Sequence, residues 1–238
     1  MNMNFGGPFP YRGVSLDIDG TLYSLWWFKC HLVLRRTRDL EAWIVMEQVR
    51  KRIRRELRVS ENMHEEIIEM MAEQLQRPTA VIAEQVKRML EIDWPYLLTK
   101  VGPYRGVTQL LTALNSANIP VVLNSDYPGV LKAKGLGLDG FEFRAIVDAT
   151  SFNALKPRPE AFQATLDHLN LPPEDVLHVG DSLELDVAGA SSVGMASALV
   201  GKGGETKVEA TPTWHFSSTN SLARALMMSL KSTSLLTP

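Results

Sequence analysis

From Pro103 onward the chain alternates short runs of strand character with amphipathic helical runs, and this alternation limits the fold more than any other feature. The strand candidates are IPVVLNS (119–125), FEFRAIVDA (141–149), DVLHVGD (175–181) and SALVG (197–201). Helical periodicity runs through GVTQLLTALNSA, PGVLKAKGL, PEAFQATLDHLN and LELDVAGASSVG between them. Strands alternating with helices pair in parallel, and a parallel sheet needs cover on both faces. Right-handed crossovers then give a doubly wound α/β fold. The apolar run Val14-Ser15-Leu16 supplies a further, early strand.

The segment from Leu25 to Lys100 reads differently. It holds no convincing strand, and helical periodicity runs through DLEAWIVMEQVRKRIRREL, NMHEEIIEMMAEQL and PTAVIAEQVKRMLEI, with Pro78 suited to a helix start. The expected organisation is therefore an α/β core, 1–24 and 101–238, with an α-helical cap, 25–100, inserted after the first strand. Loops after strand C-termini border the ligand crevice of an open α/β sheet, so the insertion should overhang it. The last residues, KSTSLLTP, read as a frayed tail.

LDIDGTL (16–22) follows the early strand and sets Asp17 and Asp19 one residue apart. In extended backbone, residues i and i+2 face the same side, so both carboxylates would aim into one partly desolvated region. Two anions there call for a cation or a shared proton, although Asp-Gly is also ordinary turn chemistry. Three more polar clusters fall at expected strand ends: Ser125-Asp126, Lys156-Pro157, and Gly180-Asp181-Ser182 with Asp186. Each has a plain structural alternative, a helix cap, a solvated loop lysine or a turn. In the second cluster, Asn124 and Ser125 are both short polar residues at a strand end.

Taken in order, LDIDGTL, VVLNSDYP, LKPRPEAF and HVGDSLELDVAGA resemble the four motifs of the haloacid dehalogenase-like hydrolase superfamily, across nearly the whole α/β part of the chain. The resemblance implies a Rossmann-like parallel sheet with the helical cap type inserted after the first motif. It also implies roles. Asp17 would be the nucleophile that forms an aspartyl-phosphate, and Asp19 the general acid and then base. Mg2+ would be held by Asp17, Asp181 and the main-chain carbonyl of Asp19, with Asp186 as a direct ligand or orienting bound water. Lys156, Ser125 and the amides of Asp19 and Gly20 would hold the phosphate. Relatives that are dehalogenases or phosphonatases lack an aspartate at the position of Asp19, so the resemblance points to phosphate-ester chemistry. It favours hydrolysis over phosphomutase transfer, with a small phosphorylated metabolite as substrate; sugar phosphates, phosphoglycolate and nucleotides all remain open.

The overall net charge of −2 hides a basic block: Arg35, Arg36, Arg38, Arg50, Lys51, Arg52, Arg54, Arg55 and Arg58 lie among only Asp39, Glu41, Glu47 and Glu56. A solvated helix face with i,i+4 pairing is the expectation. The alternatives are anion recognition at the crevice, or a non-catalytic protein that binds nucleic acid or an anionic membrane. With 45% apolar and 22% charged residues, the composition is that of an ordinary globular protein. The single cysteine, Cys30, excludes an internal disulfide and fits a reducing compartment. No secretory leader is visible in MNMNFGGPFPYRG, and LWWFKCHLVL is short for a bilayer span, so a cytoplasmic location is expected.

Overall fold

The computed structural model describes residues 5–34, 39–56, 58–203 and 209–234. Six parallel strands form one sheet: β1 (Gly13–Asp17), β2 (Val121–Ser125), β3 (Ala145–Asp148), β4 (Val176–Gly180), β5 (Ala196–Val200) and β6 (Trp214–Phe216), in the spatial order β3-β2-β1-β4-β5-β6. β1, β2 and β4 are buried along their whole length, as expected for strands covered on both faces. Leu16 pairs with Leu123 on one side and Val179 on the other. Strand order reverses between β1 and β4, so a crevice opens at the C-terminal ends of these two strands.

The expected strand over 141–149 shrinks to Ala145–Asp148. Asn115, on helix α6 (Arg105–Ser116), accepts from Glu142 N at 3.2 Å and donates to Glu142 O at 3.0 Å, which takes that backbone out of the ladder. Two features of the C-terminal part were not anticipated. β6 is three residues long and carries a histidine, too short for periodicity to register. The expected frayed tail is in part the end of a helix over Thr219–Ser234; the remainder, 235–238, lies outside the described residues.

The insertion folds as α1 (Leu25–Leu34), α2 (Leu40–Glu56), α3 (Met63–Leu75), α4 (Thr79–Arg88), a π-helical turn over Met89–Asp93 and α5 (Trp94–Val101). α2 buries Trp43, Met46, Val49 and Ile53 at helical spacing. Asn62 caps α3 by accepting from Glu65 N at 3.2 Å. Phe28, Trp43 and Trp94 pack together with ring centroids 5.1–5.9 Å apart. α1 is mostly apolar, interrupted by Lys29 and His31, and leaves Trp26 and Trp27 64% and 55% exposed. Cys30 is half-buried. No described helix is long and apolar enough to cross a membrane.

The basic block departs from a purely solvated face. Arg52 with Glu56 and Lys51 with Glu47 form the expected i,i+4 pairs, while Arg58 reaches across to Glu66 on α3. Arg50, only 9% exposed, and Arg54 turn inward onto Asp126 at the end of β2. Asp126 Oδ2 accepts from Arg50 at 2.7 Å and from Arg54, while its Oδ1 accepts from Lys156 N at 2.9 Å. Arg54 Nε also donates to Lys156 O at 3.0 Å. Arg35, Arg36 and Arg38 lie outside the described residues.

Asp126 thus ties the inserted helices to the core. Burial alone would raise its pKa, but Arg54, Arg50 and Lys156 hold it well below the usual carboxylate range. Its contribution to stability is in place above the ordinary Asp value of about 3.9 and is lost as pH falls through the depressed folded value. Asp126→Ala strands two buried guanidinium groups and should cost about 3–5 kcal/mol in urea unfolding. Glu56→Ala, on the exposed side of the same helix, should leave the unfolding midpoint in place.

Candidate active site

β1 ends at Asp17, so the extended geometry that would aim Asp19 alongside it stops there. Asp17 Oδ1 accepts from Lys156 Nζ at 2.5 Å, and Oδ2 from Thr21 Oγ1 at 2.8 Å, within the turn that follows. The Asp19 carboxylate takes different partners: Oδ1 accepts from Tyr23 OH at 2.7 Å, and Oδ2 from Lys132 Nζ. The two carboxylates remain close enough for each negative charge to be felt by the other. Gly20 turns the chain at φ +92°, and a Cβ there would stand 2.1 Å from Asp181 Oδ2. Only glycine lets LDIDGTL pass this close to the end of β4.

On β4, a Cβ on Gly180 would overlap the carboxylate of Asp186, 2.2 Å from its Cγ. Asp186 is buried and fully engaged. Its Oδ1 meets Lys156 Nζ at 2.8 Å and His178 Nε2 at 3.3 Å, and its Oδ2 accepts from Ser182 N at 3.1 Å. His178 Nδ1 in turn lies 2.9 Å from Ser15 Oγ on β1, so this strand histidine also orients Asp186. Burial lowers the His178 pKa and favours the neutral ring.

On β2, Asn124 and Ser125 face opposite sides of the sheet. Asn124 Nδ2 donates to Ala161 O at 3.2 Å and Thr165 Oγ1 at 3.0 Å, both on α8 (Pro159–Leu169), on the far face of the sheet. Ser125 is buried on the side of Asp19, and its Oγ accepts from Lys132 Nζ at 2.9 Å. Asp126 does not cap α7 (Gly129–Gly135); Asp148 of β3 accepts from Gly129 N instead, at 2.7 Å.

Asp17, Asp181 and Asp186 each offer one carboxylate oxygen within 4.8 Å of the others. Burial raises the Asp17 pKa, opposed by Lys156 and reinforced by Asp186, Asp181 and Asp19. Burial and Asp186 push Asp181 up to about 7. Asp186 is held down at about 2, because Lys156 and His178 overcome the effect of its burial. Burial disfavours the Lys156 ammonium, but Asp17, Asp186 and Asp126 outweigh it and keep the charge on. One ammonium among three carboxylates leaves surplus negative charge, and the donors are all hard oxygens. A divalent cation of the Mg2+ type fits such a set. Asp17 and Asp181 would hold it, with Asp186, tied to Lys156, His178 and Ser182 N, as a further ligand or orienting its surroundings. The Asp19 carboxylate lies outside the three-acid cluster, so Asp19 could contribute only through its main chain.

These groups floor a cavity of about 780 Å³ between core and cap. Its buried cap-side lining is Phe28, Leu32, Trp43, Met46 and Trp94 with Arg50, while the polar residues Glu47, Gln48 and Lys51 stand toward solvent. The Trp43 indole N–H and Arg50 Nε have no hydrogen-bond partner among the described residues. Sequence reasoning missed Lys132, Tyr23, Trp94 and the inward turn of Arg50 and Arg54. The one available signal was the four-residue spacing of Tyr23 from Asp19, one helical turn's length in a segment that forms a loop.

A doubly wound parallel sheet with a carboxylate cluster and a buried lysine at its switch point defines a class of enzyme-like site rather than a single activity. Residues 11–194 match the family described as haloacid dehalogenase-like hydrolase, and the chain belongs to it. It is 31% identical to the beta-phosphoglucomutase of Bacillus subtilis, over 47% of this chain and 50% of that protein. It is 30% identical to the pyrophosphatase PpaX of Halalkalibacterium halodurans, over 42% of this chain and 47% of that one. The matched part therefore spans about half the length of these curated relatives. The L-2-haloacid dehalogenase of Xanthobacter autotrophicus shares the fold, with TM-score 0.64 and 18% identity over 90% of this chain and 97% of that one.

A proton on Asp181 competes with a cation. Asp17 and Asp181 are both pushed above the ordinary carboxylate range and must lose their protons to bind, so Mg2+ affinity measured by titration calorimetry should fall as pH drops through about 7. Asp181→Asn should remove most of the binding, and an affinity that is flat from pH 5.5 to 8 would count against this assignment.

Proposed function

We propose that the protein is a Mg2+-dependent phosphate-monoester hydrolase that works through an aspartyl-phosphate on Asp17, in a cytoplasmic setting. The observation that carries this reading is the environment of Asp17: a buried carboxylate at the cavity floor, bonded to Lys156 and clustered with Asp181 and Asp186. When bound, Mg2+ would neutralise charge on the carboxylates and on the phosphoryl oxygens. Asp17 attacks phosphorus, the bond from phosphorus to the ester oxygen breaks, and the departing oxygen takes a proton from Asp19. Water then attacks the same phosphorus and gives its proton to Asp19, and the bond to Asp17 breaks. Lys156 and Ser125 hold the phosphoryl oxygens throughout.

Asp19 favours phosphate esters over haloacids, because an alkoxide leaving group needs a proton and a halide does not. Water rather than a second sugar hydroxyl is the acceptor in this reading, in keeping with the hydrolase family match; a phosphomutase would return phosphorylated product instead. Five of the described residues of the basic block support the same reading over polyanion binding. Arg50 and Arg54 face the core, and Arg52, Arg58 and Lys51 are paired locally.

The cavity walls narrow the leaving group. Hydroxyls buried against Phe28, Met46 and Trp94 would lose water and find only the unpaired Trp43 N–H and Arg50 Nε in its place, whereas an apolar body has less hydration to lose. The substrate we favour is therefore a phosphate ester whose alcohol carries an apolar, ring-sized body.

Quenched reactions of wild type should carry one phosphoryl group on the peptide containing Asp17, and Asp17→Asn should carry none and not turn over. Asp19→Asn should lose about 10²–10⁴-fold in kcat/KM on alkyl phosphates. Among esters with similar alkoxide leaving groups, 2-phenylethyl phosphate should exceed glycerol 3-phosphate by about tenfold or more in kcat/KM. Ile44→Asp, on the exposed part of the cavity wall, should shrink that preference.

A further inference from the structure

Lys132 is the group in this site that neither the motifs nor the mechanism above employs. It lies on α7, is 2% exposed, and is one of the largest fully buried side chains. Its ammonium donates to the Asp19 carboxylate and to Ser125 Oγ, the latter at 2.9 Å, and stands 4.1 Å from the centroid of the Trp94 ring. The same indole donates from Nε1 to Tyr23 OH at 3.2 Å, and Tyr23 OH donates to the other oxygen of Asp19. Asp19, Tyr23, Trp94 and Lys132 thus form a closed ring of contacts.

An ammonium buried this deeply is costly unless it has several partners. Here the partners are the group that would move the proton and a group that would hold the phosphoryl oxygens. Burial against Trp94 also seats the charge over an aromatic face, which offsets part of its lost hydration. Without Lys132, Asp19 would keep one donor, Tyr23, and could swing about it; Ser125 Oγ would lose its bond to the ammonium. An acid that is free to rotate transfers a proton less often, because a displacement of about 1 Å is enough to cost about 10²-fold.

We propose that Lys132 is a positioning residue for phosphoryl transfer: it is a shared anchor that fixes the carboxyl of Asp19 and the hydroxyl of Ser125 relative to each other, braced by Trp94. The proposal rests on the phosphatase reading above. It makes a distinction that a purely structural lysine would not. Proton delivery matters for an ester whose leaving group is a basic alkoxide and little for one whose leaving group is already acidic, and kcat/KM reports the step that forms the aspartyl-phosphate.

The test compares wild type, Lys132→Met, Lys132→Arg and Tyr23→Phe on 2-phenylethyl phosphate and p-nitrophenyl phosphate with saturating Mg2+, alongside thermal unfolding of each protein. Lys132→Met should lose about 10²-fold in kcat/KM on the alkyl ester and less than about 10-fold on the aryl ester. Lys132→Arg, which keeps a cationic donor, should recover part of the alkyl-ester rate. Tyr23→Phe should show the same alkyl-selective loss at smaller size, and it covers the case in which Lys132→Met does not fold. Equal losses on both esters in folded variants would overturn the proposal while leaving the phosphatase reading intact. A wild-type protein inactive on every ester would overturn that reading and this proposal with it.

Discussion

The rest of the structure turns on a concentration of buried negative charge. Asp17 at the end of β1 and Asp181 and Asp186 beyond β4 bring three carboxylates within bonding reach of one point, because strand order reverses between these two strands and places their C-terminal ends side by side. Buried anions in such proximity either take protons or find cations. The fold answers with Lys156, delivered from the loop before α8, whose ammonium touches two of the three. Gly20 and Gly180 follow from the same crowding: a side chain at either would occupy the space of a carboxylate.

Two neighbouring carboxylates repeat the pattern with separate partners. Asp126 is matched by Arg50 and Arg54 of α2, and Asp19 by Lys132 of α7 with Tyr23. Each pairing joins elements far apart in the chain. The charge balance of the site is therefore also what registers the inserted helices on the core: Arg54 reaches both Asp126 and the carbonyl of Lys156, so the residue that holds the cap down also touches the loop that presents the lysine. Removing one cation disturbs placement as well as electrostatics.

Much of this was legible in the sequence, and the limits have physical causes. The alternation after Pro103 fixes a parallel sheet because a crossover needs a helix and a helix shows its period over three turns. LDIDGTL points to a carboxylate site because two aspartates one residue apart after an apolar strand crowd like charges into a partly desolvated place. β6 escaped because three residues carry no period, and the end of the last helix because KSTSLLTP is polar and rich in poor helix formers. Arg50 and Arg54 read as surface charge because only the third dimension brings Asp126 to them, across 76 and 72 positions of chain. Lys132 escaped for the same reason, since a helix over Gly129–Gly135 is too short to show which face is buried.

The surroundings of Asp19 bear on which leaving group the proposed reaction would serve. Carbon–halogen cleavage and phosphate-ester cleavage are both reactions that a carboxylate nucleophile can begin. They part at the leaving group. A halide departs as a stable anion, and an alkoxide must be protonated. Burying a second lysine, a tyrosine and an indole around a second aspartate costs each polar group its hydration. In this chain those three side chains converge on Asp19. Their desolvation is offset only through one another and through Asp19, so the ring ties the cost of burial to the position of a single carboxyl group, the one on which proton transfer to an oxygen leaving group would depend.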